Sequence, residues 1–541
     1  MIGLLISLGV VLVLVLTWRF HVKWLVRWRL GAYRRAVNHV DVSKPEKLSA
    51  PKRVAVLGGG VAGISAASTL AARGYEVTIF EAKDYLGGKL GSWKVTHSNG
   101  TTEWASHGFH AFFRHYYNLN RFLDSLGLRK SFKAISDYRI LFPGGDELSF
   151  GEIDTTPILN MVSLAKHGVY KFGETMRAPT RDLMGILLEY DAKTTFAQLD
   201  HVSFAQFDEV AKLPARLKLA FNTFARVFFA DEHKLSMAEL IKSFHFYFLG
   251  HDGGLGYDHP TADYEASLLI PLRAHLSSLG VKLLLATPVT QLERATDGTF
   301  LVNGGSFDRV VCATDVVGTR AILSSARGLE GLNAELTKLE PGQRYAVLRL
   351  WIDKAARAGL PVFVITDRVR LLDSITFYDR TERESADWVK KHGGSVIELH
   401  SYAVPDDVTD ADVRAALLDE VLRFLPELQG FVVKEEHFQL RRDFTAFHVG
   451  QYASRPGTDS GVRGLVCAGD WVKLPFASML LEAACSSGLV AANSILSLDG
   501  LRETLVEAVP PRGLLAGTPA PPTRKPLLAR LDAMSREQRP S

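Results

Sequence analysis

Residues 2–18 form an apolar run in which Ser7 and Thr17 are mild polar breaks. Coiled as a helix, the run spans roughly 26 Å, just under the ~30 Å hydrocarbon core of a bilayer. Later apolar stretches are shorter and rich in β-branched residues: Arg53-Val-Ala-Val-Leu57, 76–80, 281–285, 309–313 and 464–468. Such runs suit strands buried on both faces of a parallel sheet. Residues 64–73 are Ala-rich and end at Gly74, which predicts a helix with a glycine C-cap. Residues 288–292 and 300–302, with a turn signal at Asn303-Gly304-Gly305, add a β-meander. Residues 150–275 have helical spacing and large apolar side chains, among them Phe221, Phe224, Phe228, Phe229, Phe244, Phe246 and Phe248. The polar stretch 37–51 reads as a linker, and the prolines at 510, 511, 519, 521, 522 and 526 predict a flexible tail.

Charge sharpens the reading of the first segment. A signal peptide would carry a basic stretch before its apolar run and a small-residue cleavage site after it. Here Arg19, Lys23 and Arg27 follow the run at four-residue spacing, beside a stripe of Phe20, Trp24 and Trp28. That arrangement predicts an uncleaved anchor continuing into an interfacial helix, with the rest of the chain on the cytoplasmic side. Arg29, Arg34 and Arg35 add too much charge for a buried core helix. Elsewhere the net charge of +4 comes with no basic stripe, which argues against a nucleic-acid surface. Cys312, Cys467 and Cys485 form no CxxC pair, so neither a disulfide framework nor a metal site is expected.

The first strand runs into Gly58-Gly59-Gly60-Val61-Ala62-Gly63 and then a helix. In that context GxGxxG is a dinucleotide fingerprint: Gly58 makes the turn, Gly60 admits a pyrophosphate, and Gly63 lets helix and strand approach. The helix N-terminus offers free N–H groups to the phosphates. Glu81, at the end of the second strand, is placed to accept from ribose hydroxyls. Ala82 follows it, and then a second glycine pair, Gly87-Gly88, with Lys89 as a phosphate-neutralising cation. Near the C-terminus, strand 464–468 stops at Gly469-Asp470 and a helix is expected from about 478 to 496.

The segments 81–89 and 464–470 resemble the FAD fingerprint of the amine oxidase and carotenoid desaturase superfamily. Gly108-Phe109-His110-Ala111-Phe112-Phe113-Arg114-His115-Tyr116-Tyr117, Gly87-Gly88-Lys89-Leu90-Gly91-Ser92-Trp93 and Ala468-Gly469-Asp470-Trp471 resemble phytoene and ζ-carotene desaturases. They are closer still to the isorenieratene synthase (β-carotene desaturase) branch. The resemblance implies FAD as cofactor, with His110, Ala111 and Tyr116 near its isoalloxazine, Val289 at the adenine, and Asp470 and Leu481 against FAD. It implies Arg226 as a substrate-site cation, a polyene substrate and a membrane quinone as acceptor. Desaturation would send a hydride to flavin N5 and a proton to a group among His110, Tyr116 and Arg226. The branch generally lacks a strong N-terminal anchor, which this chain carries.

The expected fold is α/β, a Rossmann-type FAD-binding domain with an inserted mixed α+β substrate domain and an N-terminal transmembrane helix. The expected segments are anchor 1–36, linker 37–51, FAD domain 52–150, helical substrate region 151–275, meander 276–330, substrate sheet and helices 331–455, FAD domain again 456–500, and tail 501–541. Alternatives left open are a flavin amine oxidase acting on another substrate, a redox-neutral carotenoid or terpenoid isomerase, and a non-catalytic FAD scaffold.

Overall fold

The computed structural model describes residues 2–537 apart from 99, 136, 138, 152, 227 and 229, with only the backbone described at 2–12, 14–16 and 223–225. Phe224 and Phe229, and most side chains of the apolar run 2–18, therefore lie outside the described residues.

A five-stranded sheet organises the nucleotide half. Strands β1 (Arg53–Leu57), β2 (Glu76–Phe80), β3 (Lys282–Leu284), β4 (Arg309–Cys312) and β5 (Leu465–Cys467) lie in the order β3-β2-β1-β4-β5. Every neighbouring pair is parallel. Val54 to Leu57 and Val310 to Cys312 are buried, as the unbroken apolar runs require. Helices α2 (Val61–Ala72) and α3 (Leu480–Leu498) pack together over this sheet. Their approach depends on small residues. A Cβ on Gly488 would lie 2.3 Å from the Ala62 carbonyl oxygen, and Ser65 Oγ donates to the Cys485 carbonyl at 3.0 Å. Residues 282–284 join the parallel sheet edge, while the meander itself is the antiparallel set Leu292–Arg294, Phe300–Val302 and Gly305–Phe307.

The second half is a seven-stranded mixed sheet, ordered Val433–Arg441, Arg344–Ile352, Ser395–Val404, Ser374–Phe377, Phe363–Thr366, Arg139–Leu141, Glu147–Ser149. Short helices between Leu159 and Phe244, including Ala192–Leu199, Phe204–Ala211 and Met237–Phe244, pack into the same apolar core as α2 and α3.

Helix α1 (Ile2–Leu30) is continuous well past the apolar run. Its C-terminal part is seated on the body: Val26, Leu30 and Tyr33 are buried against Leu514, and Arg19 pairs with Asp154. Among the described residues, α3 has the length and apolar composition to cross a membrane, but 72% of it is buried inside the protein, so it is a core helix.

The expected flexible tail is instead docked. Glu507–Ala508 pairs antiparallel with Arg35–Ala36. Helix Arg524–Glu537 lies on Phe204–Ala211 with Leu531 fully buried, and Arg524 pairs with Glu189 at 2.6 Å. Prolines disfavour regular structure in the connection but leave the apolar face after Pro526 free to pack. Leu531→Ala is expected to lower stability by about 2–5 kcal/mol, read as a shift in the urea unfolding midpoint at unchanged slope.

Candidate functional site

One cavity of about 600 Å³ lies between the two sheets and is lined from both. Its first wall is the glycine-rich turn after β1. Gly58 has φ +105°, and a Cβ there would meet the Ala313 carbonyl oxygen at 2.7 Å. A Cβ on Gly63 would lie 2.0 Å from the Gly58 carbonyl oxygen, which is the close packing predicted for it. The first intrahelical bond of α2 is Ile64 N–H to Gly60 O at 2.9 Å. The N–H groups of residues 61–63 thus have no intrahelical acceptor and mark an anion seat.

The second glycine pair closes over the first. The Gly87 N–H donates to the Gly59 carbonyl at 2.8 Å, and a Cβ on Gly88 would come within 3.1 Å of the Gly60 Cα. Glu81 accepts from the Gly59 N–H at 2.7 Å and the Lys83 N–H at 2.8 Å. A carboxylate has about four lone-pair sites, so acceptor capacity remains on the cavity side. Lys89 Nζ contacts Asp470 Oδ2 at 2.9 Å, and Thr445 Oγ1 donates to Asp470 Oδ1 at 3.0 Å. Burial pulls the Lys89 ammonium down, but Asp470 and Asp443 outweigh it and hold its pKa above the ordinary value. Gly469 has φ +142°, and its N–H donates to Ser487 Oγ at 2.8 Å, tying β5 to α3.

The opposite wall is aromatic. Phe363, Phe109, Tyr257, Phe113, Tyr247 and Phe228 form an unbroken ring-to-ring series with centroids 5.0–6.1 Å apart. Tyr116 joins it through a 2.9 Å hydrogen bond to the Tyr247 hydroxyl, and burial raises its phenol well above the ordinary range. His110 Nδ1 lies 2.9 Å from the Gly108 carbonyl, an acceptor only. Nδ1 therefore carries the proton and Nε2 the lone pair. Burial, reinforced by the nearby His107, pushes its pKa down to about 3, so the ring is neutral at physiological pH.

Of the residues singled out from sequence, Gly58, Gly60, Ala62, Glu81, Ala82, Gly88, Lys89, His110, Ala111, Tyr116, Gly469, Asp470 and Leu481 all line this cavity. Gly63 lies just behind it. Val289 does not line it; its half-buried side chain packs on the meander core. Arg226 is not among the lining residues either, and its guanidinium pairs with buried Asp373 at 3.1 Å. Asp373 needs a cation because an unpaired buried carboxylate is costly. Sequence reasoning passed over His107, Asp443 and Tyr345, which meet at the cavity, and Glu398 behind it. Tyr345 and Glu398 lie within strands, while His107 and Asp443 follow strand ends, and none of the four belongs to a recognisable motif.

Residues 61–496 match the model of the family described as flavin containing amine oxidoreductase. The chain belongs to that family. It is 35% identical over 472 residues to the carotenoid phi-ring synthase of Streptomyces griseus, covering 85% of this chain and 90% of that protein. It is 23% identical to the 15-cis-phytoene desaturase of Arabidopsis thaliana, covering 84% and 82%. Putrescine oxidase bound to putrescine shares the fold, with a TM-score of 0.59 at 17% identity over 83% of this chain and 99% of that one.

FAD is the cofactor of this family member, and the cavity fits it. The fit rests on a cradle made of glycine backbone, which any Cβ at Gly58 or Gly88 would obstruct, together with a carboxylate at the end of β2 and a helix N-terminus at the turn. Among the described residues no cluster of His, Cys, Asp and Glu is arranged to hold a metal ion.

Proposed function

We propose that the chain is a membrane-anchored oxidoreductase that uses FAD to desaturate a carotenoid, acting on its end ring. The observation that carries this reading is the joining, in one cavity, of a dinucleotide cradle to a continuous aromatic wall. The likeness to a carotenoid phi-ring synthase over most of both chains supports the substrate class.

Glu81 would take the ribose and the turn at residues 58–63 the pyrophosphate, with Lys89, Asp470 and Leu481 as the residues that would flank the rest of the cofactor. Bound FAD supplies the acceptor for two electrons. The protein's contribution is to hold an apolar polyene against it and exclude water, and positioning of this kind lowers barriers by several kcal/mol. Loss of hydride leaves an allylic cation, which is so strong an acid that a weak base suffices to take the neighbouring proton. His110, neutral and with Nε2 unprotonated, is that base. Tyr116 and Tyr247 present ring faces and a shared hydroxyl pair rather than a charge.

The anchor rests on the 29-residue length of α1, about 43 Å as a helix. It also rests on the exposure of Phe20, Trp24 and Trp28 between Arg19, Lys23 and Arg27. On this reading the basic residues after the apolar run keep the catalytic body on the cytoplasmic side, with a membrane quinone as electron acceptor. Co-expression of the full chain with a carotene-producing pathway tests the reading. The expected product is lighter by pairs of hydrogens and carries an aromatic end ring, by mass and absorption spectrum. A product of unchanged mass would move the assignment to an isomerase. No change with any carotene, despite bound FAD, would overturn the carotenoid reading.

A further inference from the structure

Residues 107–111, which carry His110, belong to neither a helix nor a strand, so no ladder of backbone bonds holds them. Two consecutive backbone N–H groups are taken instead by side chains from distant parts of the chain. The Phe109 N–H donates to Glu398 Oε1 at 3.1 Å, and the His110 N–H donates to Tyr264 Oη at 2.9 Å. Tyr264 Oη lies 3.3 Å from His259 Nε2. His259 Nδ1 is 2.7 Å from the Pro260 carbonyl oxygen and 3.2 Å from Thr381 Oγ1. Tyr264 and His259 are buried and are not among the residues lining the FAD cavity, whereas His110 is.

The protons along this chain are fixed from its far end. The Pro260 carbonyl can only accept, so His259 Nδ1 carries the proton and Nε2 the lone pair. Burial pushes the His259 pKa down to about 4, only partly offset by the bond to Pro260, so the ring is neutral. Burial raises the Tyr264 phenol above its ordinary range and keeps its proton in place. That proton is donated to His259 Nε2, which leaves the lone pairs of the tyrosine oxygen for the His110 N–H. The rings repeat the contact: His259 stacks on Phe109 with centroids 4.8 Å apart, and Tyr264 meets His110 edge-on at 5.8 Å. The geometry points to Tyr264 as a positioning residue that, oriented by His259, fixes the His110 backbone and with it the imidazole at the cavity wall.

Tyr264 also stands at the start of a widened helical turn. There the Ile270 N–H bonds to the Glu265 carbonyl, five residues back rather than four. The turn ends on Leu269, whose Cδ2 would lie 2.8 Å from a Cβ on Gly87. One short element therefore touches the second glycine pair of the cofactor cradle at one end and the His110 backbone at the other.

The catalytic consequence rests on His110 being the base of the carotenoid reaction, whereas the clamp on its backbone does not. Hydrogen exchange at the His110 amide is therefore measured first, by mass spectrometry on the FAD-loaded full-length protein and on Y264F, H259L and H259Q. Y264F removes one oxygen and keeps the ring. H259L and H259Q both lose the stacking on Phe109, but the glutamine amide oxygen can stand in for Nε2 as acceptor. Exchange at His110 is expected to be about tenfold faster in Y264F, faster also in H259L, and near the parent rate in H259Q, with flavin content and melting temperature of Y264F close to the parent's. Parent-like exchange at His110 in Y264F overturns the proposal. So does acceleration spread over the whole chain rather than confined to residues 108–111, which would be plain destabilisation. Flavin bleaching by a carotene is then timed in the parent and Y264F. The expected rate at saturating carotene is at least about tenfold lower in Y264F, at unchanged half-saturating concentration, because Tyr264 lies behind the cavity wall. Parent-like bleaching in Y264F overturns the positioning role. A parent protein that bleaches with no carotene overturns the carotenoid reading alone, and the exchange pattern then decides the clamp.

Discussion

Gly63→Val is expected to yield protein that purifies without FAD. The added side chain begins with a Cβ 2.0 Å from the Gly58 carbonyl oxygen, a backbone atom that cannot swing aside. Relief requires α2 to move off β1, which displaces the anion seat at residues 61–63 and breaks the packing of Gly488 on Ala62. Overpacking a rigid site costs about 1–3 kcal/mol, and more where backbone must shift. The measurement is the ratio of flavin to protein absorbance after purification, alongside thermal melting. Gly331→Ala is the control: it sits in the helix Glu330–Leu336 with nothing within 4 Å of the new Cβ, and is expected to keep full flavin content. Full flavin content in Gly63→Val would show that the turn is not where the cofactor is held.

Glu398→Ala is expected to cost about 3–5 kcal/mol at neutral pH, because it strands a buried cation. Arg349 Nε lies 2.9 Å from Glu398 Oε2. Oε1 accepts from the Phe109 N–H at 3.1 Å and the Tyr378 hydroxyl at 3.2 Å, and lies 3.1 Å from His400 Nε2. Burial alone would raise the pKa of this carboxyl, but Arg349 and His400 hold it down at about 2. The folded value is thus depressed below an unfolded value of about 4.3. Its stabilisation is fully present above that unfolded value and is lost as pH falls through about 2, a change on the order of 3 kcal/mol. Urea titrations of parent and variant at pH 7, 5 and 3 should give equal stability gaps at pH 7 and 5 and a narrower gap at pH 3. A gap that stays constant to pH 3 would mean the carboxylate does not depend on its charge for its place in the fold.

The same residue shows why part of the site was hidden from a linear reading. Glu398 is one polar side chain within the strand Ser395–Val404, and its partner Arg349 lies on another strand 49 residues away in sequence. Nothing in either strand announces the pair, because a buried charge is recognisable only by what faces it. His107 and Asp443 are separated by 336 residues, and Tyr345 and His107 by 238. Arg226 shows the converse. The family resemblance implies a substrate-site cation there, and its partner in the fold, buried Asp373, lies 147 residues away in sequence.

The sequence by itself determined the nucleotide half: the turn 58–63, the acid at 81, the glycine pair 87–88 and the strand ending at 469–470. Those features follow from local rules, since a strand, a tight turn and a helix within some twenty residues constrain one another whatever lies outside them. The tertiary structure alone decided the aromatic wall, the meeting of His107, Tyr345 and Asp443 at the cavity, the Glu398–Arg349 pair behind it, and the docking of the C-terminal helix on Phe204–Ala211. These depend on which distant faces meet, and burial then selects the polar partners, because an ionised or hydrogen-bonding group is tolerated inside only where another chain segment supplies its complement.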